Sequence, residues 1–169
     1  MRCFYSHSFR QEDKSVVEWF REFLEAFPGI ELVEVGDENR PPLDQVERAI
    51  AGSELFCTVI TQRNGAIPQW ISTEIGLARQ HGLEIFAFVE EGISDLGCLP
   101  AICGYQTFQR RPLGRRAPAY VRYVNSLRGT VLRRHGEDRA SLLERVRTLS
   151  SQVQRMVDDE DAYNESFVR

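Results

Sequence analysis

The stretch PQWISTEIGLARQHG, residues 68–82, combines a helical core pattern with an acid in an unusual position. Apolar residues recur at the i, i+4, i+7 spacing of a buried helix face, starting at Ile71. Trp70 and Glu74 lie one residue over, so a carboxylate stands one turn from an indole at the border of that face. A partly desolvated carboxylate can stabilise positive charge that develops on a bound molecule. The pattern alone fits an ordinary surface carboxylate, and a catalytic role for Glu74 depends on the motifs around it.

Composition places this helix in one globular domain. The chain has 169 residues, 42% hydrophobic and 27% charged, which is ordinary for a globular protein. A net charge of -4 disfavours a nonspecific grip on nucleic acid phosphates, so no nucleic acid partner is expected. The sequence lacks an apolar run of membrane-spanning length and a signal-peptide pattern at its start. We therefore expect a cytoplasmic protein that does not bind membranes.

The cysteine pattern disfavours a metal site. The four cysteines form no CxxC pair and have no histidine at zinc spacing; they are Cys3, Cys57, Cys98 and Cys103. We therefore expect reduced, mostly buried thiols and no bound metal.

Strand-like and helix-like segments alternate over the first 110 residues. Strands are predicted at 2–8, 30–35, 54–61, 83–90 and 105–109, and helices at 12–29, 43–52 and 68–82. Such alternation is typical of a parallel sheet covered by helices on both sides. The predicted fold is α/β, with a flavodoxin-like, five-stranded parallel sheet.

The chain changes character from Pro118 onward. Two helices are predicted, at 119–136 and 137–157, and an acidic tail follows. The second helix carries an apolar stripe that is too hydrophobic to face water, formed by Leu142, Leu143, Val146, Leu149 and Val153. The predicted organisation is one domain at 1–135 and a C-terminal helical extension with its tail at 136–169.

Three loops are predicted to meet at the carboxyl ends of the strands, where open parallel sheets bind ligands. They are SHSFRQED at 6–13, GDENRPP at 36–42 and TQRNGAIPQW at 61–70.

These segments and their order resemble the Toll/interleukin receptor (TIR) domain family over roughly residues 2–135. The matching boxes are FYSHS at 4–8, GDENRPPLDQVERAI at 36–50, SELFCTVIT at 53–61 and WISTE at 70–74. In the last box, Trp70 and Glu74 stand at the Trp-x-x-x-Glu spacing of the family.

The resemblance implies an NAD+ nucleosidase that cleaves the nicotinamide-ribose bond, with Glu74 as the essential residue. The chemistry suits a single carboxylate, because cationic nicotinamide leaves as a neutral molecule and needs no general acid. We expect Glu74 to lie in the first helical turn, where the helix dipole would keep it ionised. NAD+ is the substrate and no cofactor is implied. Hydrolysis to ADP-ribose and cyclisation to a cyclic ADP-ribose isomer both remain open.

Trp70 is interpreted as a wall of the substrate site, and it fits equally well as a core residue that seals the helix start. His7 either stacks on a substrate ring or contacts only its own loop. Ser6 either contacts the substrate or ties its loop down.

Charged residues of the first two loops are candidates for binding the pyrophosphate: Arg10, Asp37 and Arg40. The alternative for each is a solvated loop charge. The basic run RRPLGRR at 110–116 is interpreted as a solvated linker or as a dock for an acidic partner.

The resemblance also implies self-association through TIR-TIR contacts and, for stand-alone bacterial members, antiviral defence in which the product signals to a separate effector protein. Two rival functions are a noncatalytic TIR adaptor and an enzyme similar to nucleoside deoxyribosyltransferases. Glu74 beside Trp70 favours catalysis, because an adaptor needs no acid there.

Overall fold

The computed structural model describes residues 1–36, 42–63, 65–134, 147, 148, 150, 151, 153 and 154. Within these residues, a five-stranded parallel sheet forms the centre of the molecule. Its strands are β1 (Arg2–His7), β2 (Glu31–Val33), β3 (Leu55–Ile60), β4 (Glu84–Glu90) and β5 (Tyr105–Phe108). They are arranged in the order β2-β1-β3-β4-β5, and every neighbouring pair is parallel. The predicted α/β fold is confirmed.

Helices cover both faces of the sheet. They are α1 (Lys14–Glu25), α2 (Leu43–Ala51), α3 (Gln69–Gln80), α4 (Leu99–Ile102) and α5 (Ala117–Arg134). The sequence prediction missed α4 and two short 3₁₀ helices, at Gln11–Asp13 and Leu113–Arg116. Segments of three or four residues are too short to show a helical period, so hydrophobic patterning does not reveal them.

Two hydrophobic cores flank the sheet, and the alternation of β1 decides which residue enters which core. Cys3 and Tyr5 pack in the core beneath α1 and α5. Phe4 packs in the other core, with α2 and α3. Since successive side chains of a strand point to opposite faces, Ser6 is directed toward α3 and His7 toward α1. This alternation fixes which polar residues of β1 can reach a common site.

The C-terminal stripe is described only at Val153, which is 3% exposed and belongs to the core beneath α1 and α5. Leu142, Leu143, Val146 and Leu149 lie outside the described residues, as does the whole of the predicted acidic tail. The two-part division of the chain therefore stays a prediction.

The four cysteines are free thiols, and they are less uniformly buried than predicted. Cys3 and Cys57 are buried, Cys103 is partly exposed and Cys98 is exposed. The last two flank α4, which the sequence did not reveal. Within the described ranges, no group of three or more histidine, cysteine, aspartate or glutamate residues is placed to hold a metal ion. None of the described helices is both long and apolar enough to cross a membrane.

Candidate active site

A pocket of about 710 Å³ opens at the carboxyl ends of the strands. After β1 the chain goes to β2 on one side and then crosses to β3 on the other, so β1 marks the switch point of the sheet. Open α/β sheets bind ligands at such a point. The pocket is lined by β1, by the loops that follow β1, β2 and β3, and by α2 and α3. The predicted first and third loops meet at this edge, since Phe9, Arg10 and Arg63 all line the pocket, whereas residues 37–41 of the predicted second loop lie outside the described residues.

Glu74 lies in this pocket and is held by β1. The hydroxyl of Ser6 donates a hydrogen bond to Glu74 Oε2 at 2.6 Å, and Thr58 Oγ1 donates in turn to Ser6 Oγ at 3.4 Å. Ser6 and Thr58 are register partners on β1 and β3, so the two central strands fix the carboxylate from below. Ser6 is 3% exposed, so its main role is to hold the carboxylate of Glu74 in place.

The expected ionisation of Glu74 needs a correction. The helix α3 begins at Gln69, so Glu74 is its sixth residue and lies in the second turn, beyond the strongest effect of the helix dipole. Burial raises the pKa of Glu74 to about 7, although the Ser6 hydrogen bond and the charge of His7 act to lower it. The carboxyl group is therefore divided between its two protonation states near neutral pH. It can stabilise a cation in one state and donate a proton in the other.

Trp70 lines the pocket one turn from Glu74 and also packs against the core beneath α2 and α3. Both interpretations of this residue, as a wall of the site and as part of the core, therefore agree with its position.

His7 lies at the pocket wall, but its ring faces the opposite side of β1 from Ser6. The ring is 5% exposed and packs between Tyr5 and Phe9, with both ring centroids at 4.8 Å. His7 Nδ1 lies 2.9 Å from the carbonyl oxygen of Ser8, and Nε2 lies 3.4 Å from Glu34 Oε2. Stacking of His7 on a substrate stays a prediction, and little of the ring is free for it.

Arg10 also lines the pocket, but acidic neighbours hold its guanidinium. Its Nε donates to Asp13 Oδ2 at 2.8 Å, and Nη1 lies 2.9 Å from Glu12 Oε1. The predicted partners in the second loop, Asp37 and Arg40, lie outside the described residues.

A buried ionic network positions the loop that follows β1. Asp13 is 0% exposed and accepts hydrogen bonds from Thr61 at 2.8 Å and from Arg110 at 2.6 Å. Arg110 also donates to both oxygens of Glu90, at 2.6 and 2.9 Å. Burial alone would raise the pKa of Asp13, but its hydrogen-bond donors together lower it to about 2. The loops after β1, β3 and β5 are thereby joined, so the interpretation of 110–116 as a solvated linker is wrong for Arg110.

Sequence reasoning missed two pocket residues inside loops that it had singled out. Phe9 is 47% exposed and covers the His7 ring at the pocket, where it presents an aromatic face to the solvent. Arg63 follows β3 and lines the same pocket. An exposed aromatic and an unassigned arginine on ligand-binding loops were the available signals.

Comparisons with known proteins place the fold. No protein-family model and no curated protein matches the chain. A solved structure of the CMP N-glycosidase BcmB from Clostridium botulinum is similar, with a TM-score of 0.52 and 19% identity over 73% of this chain and 99% of that one. The metal-soaked flavodiiron core of a Synechocystis protein gives a TM-score of 0.44 and 13% identity over 64% of this chain and 30% of that one. At such identities the first likeness shows a shared fold.

Proposed function

We propose that this chain is an N-glycosidase that cleaves the nicotinamide-ribose bond of NAD+ with Glu74 as its catalytic residue. The observation that carries the proposal is the placement of Glu74, the only carboxylate among the described residues that line the pocket. It is anchored by Ser6 at 2.6 Å and lies one turn from Trp70. One partly buried carboxylate at the switch point of the sheet suits a reaction whose leaving group departs neutral.

In the proposed reaction, the bond between ribose C1′ and the nicotinamide nitrogen breaks, and its electron pair leaves with the base. The base loses its positive charge, and the ribose becomes an oxocarbenium-like cation that the ionised Glu74 stabilises. Trp70 forms a wall beside the sugar. Water then adds to C1′ and releases a proton, giving ADP-ribose, or a nucleophile of the same molecule adds and gives a cyclic isomer.

A second candidate function is hydrolysis of a nucleoside monophosphate at its N-glycosidic bond. Two observations favour it: the pKa of Glu74 is raised to about 7, and a similar fold belongs to a protein described as a CMP N-glycosidase. An uncharged pyrimidine is a poor leaving group without a proton, and a protonated Glu74 could supply one. This candidate lies close to the deoxyribosyltransferase-like alternative raised by the sequence.

Membership of the TIR family, self-association and a role in antiviral signalling through a separate effector are proposals that rest on the sequence resemblance. A noncatalytic TIR adaptor is the rival in which the pocket has no chemical role.

The test is incubation of the purified protein with NAD+, and separately with CMP, followed by mass spectrometry of the products. Wild-type protein is expected to release nicotinamide from NAD+. The Glu74→Gln variant keeps the size and hydrogen-bonding capacity of the side chain, and it should lose a factor of about 10² to 10³ in turnover. Glu47→Gln, on α2 and outside the pocket lining, is the matched control and should retain full activity. Release of cytosine alone would favour the second candidate, and no release from either substrate would favour the adaptor.

A further inference from the structure

One charged side chain of the pocket, Arg63, interacts differently from its charged neighbours Arg10 and Glu74. Arg10 is held by Asp13 and Glu12, and Glu74 is held by Ser6. Arg63, by contrast, forms no ion pair with any carboxylate of the part of the chain that the structure describes. The pocket therefore has an arginine whose charge is not neutralised by those residues.

The guanidinium of Arg63 makes one hydrogen bond and keeps a further donor for which the described residues provide no acceptor. Its Nη2 donates to Ser8 Oγ at 3.0 Å, which holds that end of the group at the start of the loop after β1. Its Nε is buried and has no hydrogen-bond partner among the described residues. A buried donor without a partner is unfavourable, and it is satisfied when an acceptor binds. Two neighbouring N–H groups of an arginine match two oxygens of a phosphate, so an anion with several oxygens suits this position.

The position of Arg63 relative to Glu74 indicates which part of a substrate that anion would be. Glu74 is bound to Ser6, and Arg63 is bound to Ser8, which directly follows β1. Two residues of extended chain span at most about 7 Å, so the two serines that anchor the carboxylate and the guanidinium lie within about that distance of each other. That separation is comparable to one ribose ring measured from its anomeric carbon to a phosphate on its 5′ oxygen.

We propose that Arg63 binds the phosphate on the 5′ oxygen of the ribose whose glycosidic bond is cleaved. The inference rests on the proposed function and makes it more specific, because it defines the substrates as 5′-phosphorylated ribosides and excludes free nucleosides. NAD+ and nucleoside monophosphates both carry such a phosphate, so Arg63 is a specificity-determining residue for either candidate.

The test measures binding without turnover. Ribose 5-phosphate and ribose are titrated into isotope-labelled protein, and dissociation constants are obtained from NMR chemical shifts. Arg63→Ala should weaken binding of ribose 5-phosphate by about 10- to 100-fold, the effect of losing a hydrogen-bonded charge, and leave binding of ribose unchanged. Arg79→Ala, which removes an exposed arginine of α3 outside the pocket, is the control and should bind as wild type does. Arg63→Lys keeps the positive charge but lacks the planar guanidinium, so it should lose less affinity for ribose 5-phosphate than Arg63→Ala does. This variant serves as the test if the alanine variant does not fold.

If Arg63→Ala weakens the binding of ribose 5-phosphate and not that of ribose, the inference is supported whether or not the protein cleaves NAD+. The proposed function and the role of Arg63 can therefore fail separately. Equal affinity of wild-type protein for ribose 5-phosphate and ribose would overturn it. Undetectable binding of ribose 5-phosphate, or an unchanged affinity in Arg63→Ala, would overturn it as well.

Discussion

Replacing Ser6 by alanine removes the hydroxyl that donates to Glu74 Oε2 at 2.6 Å. That hydrogen bond is the larger of two interactions that hold the pKa of Glu74 down against burial, the other being the charge of His7. Alanine keeps the backbone of β1 and removes one oxygen, so Ser6→Ala should raise the pKa of Glu74 above its present value of about 7. If the ionised form is the active one, the variant should need a higher pH to work.

The size of the effect follows from the hydrogen bond. A hydrogen bond to a charged group contributes about 1.5–3 kcal/mol, and about 1.4 kcal/mol corresponds to a tenfold change in an ionisation equilibrium. The acidic limb of the rate profile should therefore move up by about 1–2 pH units. At pH 7 the ionised share of Glu74 would fall from about half to roughly 1–10%, a 5- to 50-fold loss of rate. The rates of variant and wild type should converge in alkaline solution.

The assay is the initial rate of nicotinamide release from pH 5 to pH 10. Ser53→Ala is the control, since Ser53 also carries a buried hydroxyl, bound to Ala49 O at 2.9 Å, away from the pocket. An equal loss of rate at every pH, with the limb unmoved, would refute the view that Ser6 acts through the ionisation of Glu74. A wild-type rate that falls as the pH rises through 7 would show that the protonated form is active and would favour the second candidate.

Two further predictions concern the stability of the fold. Since the folded protein raises the pKa of Glu74 from 4.5 to about 7, ionisation in that window destabilises the fold as the pH rises. Glu74→Gln should therefore exceed wild type in free energy of unfolding by up to about 3 kcal/mol at pH 8 and match it at pH 4; a constant difference in urea titrations would contradict this. Asp13 has its pKa lowered from 3.8 to about 2, so its stabilising contribution is present above pH 4 and lost as the pH falls through 2. Asp13→Asn should lower the free energy of unfolding by about 3–5 kcal/mol at pH 7, because it removes the buried carboxylate that pairs with Arg110. The control Asp44→Asn changes an exposed aspartate and should lower it by less than about 1 kcal/mol. Equal losses in urea titrations would show that the network does not support the fold.

The sheet and its longer flanking helices were predictable because their signals are local. Strands β3 and β4 are apolar at nearly every position, as strands covered on both faces must be, and α1 carries a regular apolar stripe. The placement of Glu74 at the margin of a buried helix face was predictable for the same reason. Its raised pKa was not, since burial depends on how tightly β1 and α3 approach.

Contacts between distant parts of the chain could not be predicted from local patterns. Ser6 and Glu74 are 68 residues apart, and Arg110 and Asp13 are 97 residues apart. No periodicity in the sequence links such pairs. The orientation of His7 is different, because strand alternation already requires adjacent residues of β1 to face opposite sides. Applying that rule to Ser6 and His7 would have separated their roles.

Side chains on the face of β1 opposite Glu74 form a row that leads from the pocket wall to the surface of the protein. His7 lies 3.4 Å from Glu34, and Glu34 is paired at 2.7 Å with Arg21, which is 36% exposed on α1. The charge of His7 lowers the pKa of Glu74 from the opposite side of the strand. If Glu74 acts as proposed, substitutions of Glu34 or Arg21, which do not line the pocket, should shift the pH dependence of the reaction while the substrate contacts of the pocket stay the same. The pH dependence and substrate recognition would then change independently, through residues that a comparison of pocket linings alone would overlook.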